Sequence, residues 1–333
     1  MSRRWCVAAT ACAFLALVAA DAQAQWRWTP QTGRFVNIKN LPKETPEIQV
    51  EYARGLYMNG RYKEAYRETE KFEQFYSDTE YADDNQFLRG EIRLAQGKHL
   101  AAAREFQQVI ANYPDSDLFD AVIAKQYEIG DGLYDLGTKR ALRWWPMFRH
   151  RPLKRAAEVY GMVIRNQPFT TAAAEAQYKV GLCHFARKAY LEAAYEYRRV
   201  IEDYAGSEWV DEAGEGLALC YYRMSLPPEY DQAPSELAIN AIDDFKARFP
   251  EDARVADLDG KRVEMRENIA MQRLVTARFY ERRREFPAAR LCYEVVVEQF
   301  PETEAAKGAQ RWIDEHPGVE SPFSKGIGRE SRD

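Results

Sequence analysis

One sequence pattern occurs in two distant parts of the chain, and it limits the possible fold more than any other feature. The segments Gly97–Pro114 and Glu285–Pro301 both place an alanine four residues before an aromatic residue, a valine three residues later, and a proline five residues after that. Spacings of four and three put side chains on one face of an α-helix. Proline then ends the helix, and the acidic residue and Ser or Thr that follow favour the start of the next one. The pattern therefore predicts a repeat of helix pairs.

Two small residues mark every repeat. An alanine recurs in the predicted second helix of each pair: Ala65, Ala102, Ala156, Ala193, Ala238 and Ala289. A small residue also recurs in the preceding helix, where it would let the two helices approach closely: Ala53, Gly90, Gly130, Gly181, Ala218 and Ala277. The shortest spacing between successive alanines is 37 residues, near the roughly 34 residues of the tetratricopeptide repeat. We therefore predict an all-α, tetratricopeptide-type α-solenoid of about six helix pairs.

The predicted solenoid covers residues 46–315. Its pairs are expected at 46–77, 82–112, 117–167, 170–204, 208–249 and 253–300, with a C-terminal capping helix near 302–315 because a solenoid end must present a polar face. The third pair carries an insertion at 138–152 and the fifth a shorter one at 226–234. Residues 25–45 lack periodicity and are expected to run extended, and the polar tail 316–333 is expected to be disordered.

The first 24 residues are typical of a secretory signal peptide. Arg3 and Arg4 precede an apolar run from Trp5 to Ala20, and Ala22–Ala24 (AQA) is a small-x-small cleavage sequence. The mature chain is therefore expected to begin at Gln25. The alternative is an uncleaved anchor, but a membrane span needs about 20 apolar residues and this run is shorter.

Composition and spacing argue against nucleic-acid binding and against catalysis. The net charge is −5, whereas binding phosphates requires a basic face. The four histidines are scattered through the chain at no metal-ligand spacing, and no nucleophile elbow or phosphate-binding loop is present. Cys183, Cys220 and Cys292, which would remain after signal cleavage, are odd in number and are expected to be small core residues. We predict no enzyme activity, cofactor or metal.

Motifs in the last three pairs point to a family. They are Ala277–Arg284 (ARFYERRR), Phe286–Arg290 (FPAAR), Tyr293–Val297 (YEVVV), Cys220–Arg223 (CYYR) and Ala176–Leu182 (AQYKVGL). Their order resembles the BamD-like proteins, which are helical lipoproteins of the outer-membrane β-barrel assembly machinery, over about 46–315. That family typically carries a lipidated cysteine at the mature N-terminus. The candidate here is Cys12, which follows Ala-Thr-Ala inside the apolar run and is a poor lipidation site, so the chain departs from the family at this point.

Aromatic residues in the first four pairs are candidates for a peptide-binding groove. In tetratricopeptide proteins the first helix of each pair lines such a groove, and the positions three before and four after the small residue share one face. These positions hold Tyr57, Phe87, Tyr127, Tyr134, Tyr178 and Phe185. Such rings suit an extended peptide or a helix with apolar anchors. The resemblance implies that the early repeats receive unfolded barrel substrates. The alternative is that the rings only pack between repeats.

The insertion in the third pair is a second candidate surface. No acidic residue occurs between Leu136 and Ala157, and bulky apolar residues alternate with arginines. The residues with this character are Arg143, Trp144, Trp145, Phe148 and Arg149. The segment suits an acidic partner or a lipid headgroup surface. Alternatively, its tryptophans fold back onto the solenoid.

The last pair supplies the third candidate surface through its arginines, Arg278, Arg282, Arg283 and Arg284. The resemblance implies that the C-terminal repeats contact the periplasmic domain of the barrel-assembly protein. A solvated helix face, with ion pairs to Glu294 and Glu298, explains the same residues.

These observations together predict a non-enzymatic periplasmic scaffold of the outer-membrane β-barrel assembly machinery, peripheral on the inner face of the outer membrane. Its expected partners are unfolded outer-membrane protein peptides, the barrel-assembly protein and other members of the assembly complex, with no nucleic acid. The alternative is a general periplasmic tetratricopeptide adaptor that serves cell-envelope division or secretion. The discriminating feature is the ordered set of family motifs, because a single repeat match indicates little about function.

Overall fold

The computed structural model describes residues 26–29, 34–37, 41–139 and 146–321, and these residues contain thirteen α-helices. The chain forms two compact units, residues 1–125 and 126–333. The predicted signal peptide 1–24, Cys12 and most of the tail 316–333 lie outside the described residues. Among the described residues, no helix has the length and apolar character needed to cross a membrane.

Unit 1 begins with a small hairpin and continues as helix pairs. Strand β1 (Trp26–Thr29) pairs antiparallel with β2 (Arg34–Asn37), so part of the segment predicted to run extended is a paired hairpin. The helices are α1 (Pro46–Met58), α2 (Tyr62–Tyr76), α3 (Ala82–Ala95) and α4 (His99–Asn112). Helix α5 (Phe119–Thr138) begins in unit 1 and continues into unit 2. Successive helices pack against each other from α1 to α4.

Unit 2 continues the same order of pairs. Its helices are α6 (Pro146–Asn166), α7 (Thr171–Ala186), α8 (Tyr190–Asp203), α9 (Val210–Met224), α10 (Ala233–Arg248), α11 (Val255–Arg282), α12 (Phe286–Gln299) and α13 (Glu304–Glu315). Because α6 begins at Pro146, the second half of the predicted insertion 138–152 lies within a helix.

The small residues act as the sequence predicts. All six second-helix alanines are fully buried. A Cβ atom on Gly90 would lie 2.5 Å from the Phe106 ring, and one on Gly181 would lie 2.5 Å from the Tyr197 ring. Such distances are shorter than van der Waals contact, so only glycine permits this approach of a first helix to a second-helix ring. The prediction that small residues let the two helices of a pair approach closely is confirmed.

In the first, second, fourth and sixth pairs, the turn between the two helices has one residue in the left-handed region. In the first two pairs this residue is Gly60 or Gly97, with φ of 73° and 72°. At the equivalent position the later pairs place Lys188 and Arg284, each with φ of 63°. Glycine adopts this conformation without the steric penalty of a Cβ atom. Lys188 and Arg284 therefore adopt this conformation at a steric cost.

The C-terminal capping helix is present as predicted. The Thr303 side chain caps α13 by accepting a hydrogen bond of 3.1 Å from the backbone N–H of Ala306. Trp312 on α13 stacks on Tyr293 of α12 at 4.5 Å between ring centroids, and is buried. With the helix pairs, this confirms an all-α tetratricopeptide-type α-solenoid.

Candidate partner-binding surfaces

In unit 1 the two predicted groove residues lie on first helices and are half-buried. Tyr57 on α1 packs against Tyr62 of α2, with ring centroids 6.0 Å apart. Phe87 on α3 packs against Phe106 of α4 at 5.0 Å. Each ring therefore contacts the second helix of its own pair and leaves part of its surface accessible to a ligand.

In unit 2 the predicted residues follow the same arrangement. Tyr127 lies 6.1 Å from Tyr160 between ring centroids, and Phe185 lies 5.3 Å from Tyr190. Tyr134 on α5 is also half-buried. The structure thus places all six predicted rings on first helices and leaves each incompletely covered, and five of them pack against another ring of the same pair. Packing and ligand binding are compatible at these positions, because each residue keeps part of its surface exposed.

Tyr178 has the most developed surroundings of these residues. Its ring lies 5.7 Å from Tyr197 and stacks on Trp209 at 5.2 Å with an interplanar angle of 24°. Burial raises the pKa of Tyr178 to about 12, and the charges of Glu212 and Glu215 add to the rise. The phenol is therefore neutral and keeps its O–H donor at physiological pH.

A charged network borders Tyr127. The Lys179 ammonium lies 5.2 Å from the Tyr127 ring centroid, 2.8 Å from Asp131 Oδ1 and 3.0 Å from Glu175 Oε1. Tyr160 donates a hydrogen bond of 2.5 Å to Asp131. These contacts fix the ring and surround it with both charge signs. The surface can hold apolar side chains against ring faces and polar backbone groups against the charged rim.

The C-terminal arginines are exposed at the tip of the last hairpin. Val275, Arg278, Phe279 and Arg282 share one face of α11, and Phe279 is 46% exposed. The Arg283 guanidinium lies 5.5 Å from the Phe279 ring centroid and pairs with Glu285 at 3.1 Å. The surface is therefore apolar as well as cationic.

The ion pairs expected in the last pair differ from those observed. Glu294 pairs with Arg290 at 2.8 Å, one helical turn away on α12. Arg284 lies in the turn between α11 and α12, and Arg283 pairs locally with Glu285. Among the described residues, the expected ion pairs between the four arginines and Glu294 or Glu298 are therefore not observed.

Much of the Trp-Arg insertion lies outside the described residues. Arg143, Trp144 and Trp145 lie outside the described residues, as do the side chains of Phe148 and Arg149. The three interpretations of this segment stay predictions.

One repeated polar residue was not predicted from the sequence. A glutamine precedes the small first-helix residue by four positions in each of the first four pairs: Gln49, Gln86, Gln126 and Gln177. All four are buried. The Gln49 amide donates to the Glu68 carbonyl at 2.9 Å, and the Gln86 amide donates to the Glu105 carbonyl at 2.9 Å. The signal that could have revealed these glutamines is their constant position four residues before the small first-helix residue.

The chemistry of the described residues suits binding. No group of three His, Cys, Asp or Glu side chains in the described part of the chain could hold a metal ion. Burial raises the pKa of the Cys183 and Cys220 thiols to about 12, so neither is a ready nucleophile. Absence of catalysis stays a prediction.

Comparisons with known proteins agree with the tetratricopeptide-type fold. Residues 84–116 match the tetratricopeptide repeat, and residues 154–316 match the outer membrane lipoprotein family YfiO. The fold and these matches define a tetratricopeptide-repeat protein.

One curated relative is the outer membrane protein assembly factor BamD of Caulobacter vibrioides. It is 24% identical over 148 residues, which is 44% of this chain and 48% of that protein, so the match spans about half the relative's length. These two matches agree with the BamD-like resemblance that the motifs predicted.

Solved structures that are similar include the C-terminal part of a tetratricopeptide-repeat protein from Cytophaga hutchinsonii. It is 17% identical, with 80% of this chain and 88% of that chain covered and a TM-score of 0.34. A tetratricopeptide-repeat protein of Thermus thermophilus is 15% identical, with 66% and 98% covered and a TM-score of 0.31.

Proposed function

We propose that this protein is a non-enzymatic scaffold in outer-membrane protein assembly, located in the periplasm and peripheral on the inner face of the outer membrane. The observation that carries the proposal is the match of residues 154–316 to the outer membrane lipoprotein family. The BamD relative supports the same role. The signal peptide predicted from the sequence is consistent with export.

The proposed clients are extended segments of unfolded barrel proteins. They bind the half-buried first-helix rings in either unit, where ring faces accept apolar side chains. Rings that are already packed on one side lose little conformational freedom on binding, which favours affinity.

The client surface is tested one unit at a time. Peptides from the C-terminal strand of an outer-membrane barrel are titrated against Tyr57→Ala/Phe87→Ala in unit 1 and Tyr127→Ala/Tyr178→Ala in unit 2. The control is Tyr195→Ala, which removes a ring that is 61% exposed on a second helix. We expect at least one double variant to lose about tenfold in affinity while the control does not. Unchanged peptide affinity in both folded double variants would refute the client surface.

The proposed partner of the C-terminal arginines is the barrel-assembly protein. Arg284 permits a clean test, because glycine suits its left-handed turn position. Arg284→Gly removes the guanidinium without straining the turn, and Lys188→Gly makes the same change in the turn of the fourth pair. We expect affinity for the barrel-assembly protein to fall about two- to fivefold for Arg284→Gly alone. Equal affinities of the two variants would remove Arg284 from the contact.

Co-purification from solubilised outer membranes tests the whole proposal. Recovery of a large β-barrel protein with periplasmic repeats supports it. Its absence would favour a general periplasmic adaptor in envelope division or secretion.

A further inference from the structure

Phe169, in the loop between α6 and α7, is held in a position that costs the fold free energy in two ways. Its side chain is 81% exposed, more than any other large apolar residue that the structure describes. Its φ of 64° lies in the left-handed region, which a bulky side chain rarely adopts. The ring therefore stays in water on a strained backbone, and strained residues of this kind cluster at binding sites.

The repeat shows that an aromatic residue is unusual at this position. In the loops that follow the other second helices, the equivalent position comes two residues after an aromatic and holds Asp78, Asp115, Gly206, Glu251 or Glu302. In the third pair that preceding aromatic is replaced by Gln167. Among the described loops between pairs, only this one contains a residue with positive φ. The third pair thus lacks the ring that is buried or half-buried in the other pairs, and it carries an exposed ring two residues later.

Phe169 borders a pocket between two successive loops of unit 2. The pocket has a volume of about 280 Å³ and lies between the loop before α7 and the loop after α8. The ring centroid of Tyr204 lies 6.5 Å from that of Phe169, with an interplanar angle of 40°. Tyr204 is buried, and the neighbouring lining residues Ala174, Ala205 and Gly206 are small. The exposed ring therefore stands beside open space.

Unit 1 contains an equivalent pocket, because every residue that lines it lies 91 positions before a residue that lines the unit 2 pocket. Three carboxylates line the unit 1 pocket, and uncharged residues take their places in unit 2: Glu80 is replaced by Thr171, Asp83 by Ala174 and Asp115 by Gly206. Phe169 itself stands at the place of Asp78. The pocket in unit 2 has thus exchanged a set of negative charges for an aromatic ring and open space.

One carboxylate is gained in unit 2, since Asp203 stands at the place of Asn112. Asp203 already pairs with Arg199, one helical turn earlier on α8, at 3.3 Å. Glu208 follows in the same loop but does not line the pocket. An incoming cation would therefore meet no unpaired carboxylate among the lining residues, and an incoming anion would meet Asp203. These surroundings favour an uncharged apolar group.

The pocket also offers backbone hydrogen-bond donors. Within the described chain the N–H groups of Ala205 and Gly206 donate to no residue, and both residues are exposed. The carbonyl groups of an extended protein segment can accept from such donors while a side chain of the segment lies against the ring. A hydrocarbon chain has no acceptor to offer, so the pocket suits a protein segment better than a lipid tail.

We propose that the pocket beside Phe169 binds a protein segment through one bulky, uncharged apolar side chain. The side chain packs against the Phe169 ring over Ala174 and Gly206, and the backbone of the segment accepts hydrogen bonds from the loop after α8. The strained loop holds the ring in place before binding, which reduces the entropic cost of the contact. This surface is separate from the first-helix rings and the C-terminal arginines, and it does not depend on the proposed function.

The test uses the full mature chain and three capped probe peptides. The first is acetyl-Gly-Ser-Leu-Ser-Gly-amide, the second has Lys in place of Leu, and the third has Asp in place of Leu. Binding is followed by the NMR shifts of the backbone amides of Thr170 and Gly206. We expect the Leu probe to bind about fivefold or more tightly than either charged probe. Equal binding of the three probes, preference for a charged probe, or binding of none would overturn the proposal.

Two substitutions of Phe169 separate binding from folding. Phe169→Asp introduces the residue found in unit 1 and should weaken binding of the Leu probe about fivefold or more. Its control, Leu191→Asp, removes an exposed apolar side chain from α8 and should leave affinity unchanged. Phe169→Gly removes the ring and relieves the backbone strain, so it should weaken binding while the midpoint of urea unfolding stays the same or rises. Unchanged binding in either Phe169 variant, an equal loss in the control, or a lower unfolding midpoint for Phe169→Gly would overturn the proposal.

Discussion

Replacing Gly181 by alanine should destabilise unit 2, although alanine is the better helix former. The added Cβ would lie 2.5 Å from Cε1 and 2.7 Å from Cδ1 of Tyr197. Ordinary contact begins at 3.4 Å, so the ring must move by about 1 Å. Tyr197 is 1% exposed, and Gly216 faces the other side of the same ring, where a Cβ would lie 2.7 Å away. The ring therefore has no space into which it can retreat.

The expected magnitude follows from two opposing effects. Overpacking a core costs about 1–3 kcal/mol. Alanine gains roughly 0.5–1 kcal/mol over glycine from helix propensity. The net change is therefore a loss of about 0–2.5 kcal/mol in the free energy of unfolding. In the control, Gly260→Ala in α11, the added Cβ has no neighbour within 4 Å, so the propensity gain stands alone.

Urea unfolding followed by circular dichroism measures both variants. The unfolding midpoint should fall for Gly181→Ala and rise for Gly260→Ala, at similar slopes. If Gly181→Ala is as stable as the parent while Gly260→Ala is stabilised, the close approach of α7 to Tyr197 is not a determinant of the fold.

Three further predictions concern polar and titratable groups. Gln86→Leu removes the amide that donates to Glu105, a residue 9% exposed, and should cost about 1–3 kcal/mol in thermal unfolding. A hydrogen bond from Arg254 lowers the pKa of Asp252 to about 2, so this pair stabilises the fold above about pH 4 and less as the pH falls toward 2. Arg254→Met should return the pKa of Asp252 toward 3.8 in a carboxyl-carbon NMR titration. At pH 8 a thiol reagent should label half-buried Cys292 first, and Cys183 and Cys220 only after unfolding; rapid labelling of all three in the folded chain would contradict their burial.

Much of the fold could be predicted from the periodicity of the sequence, because each helix pairs with its neighbour along the chain. Ala102, Phe106 and Val109 lie on one face of α4 by spacing alone, and all three are fully or almost fully buried. The turn between the helices of a pair was also readable, since Gly60 and Gly97 adopt the left-handed conformation that glycine favours. The left-handed conformations of Lys188 and Arg284 could not be predicted, because no local rule places a long side chain at this position.

The contacts at the candidate surfaces were harder to predict from the sequence. The sequence placed Tyr178 on a first-helix face, but its stacking partner Trp209 comes from the turn before α9. The contact of exposed Phe279 on α11 with Arg283 of the following turn was likewise not predicted. Such contacts join residues from neighbouring helices, so spacing within one helix does not specify them.

The sequence by itself determined the order of helix pairs and the small residues that bring the helices together, because both follow from spacings of three and four along a helix. It also carries the family motifs of the last three pairs as short runs of residues. Only the tertiary structure decided which aromatic rings are covered. Phe169 and Tyr204 both lie just after a second helix, yet Tyr204 is buried and Phe169 is exposed. The reason is physical: coverage depends on the summed volume of side chains from neighbouring helices, and no single helix carries that sum.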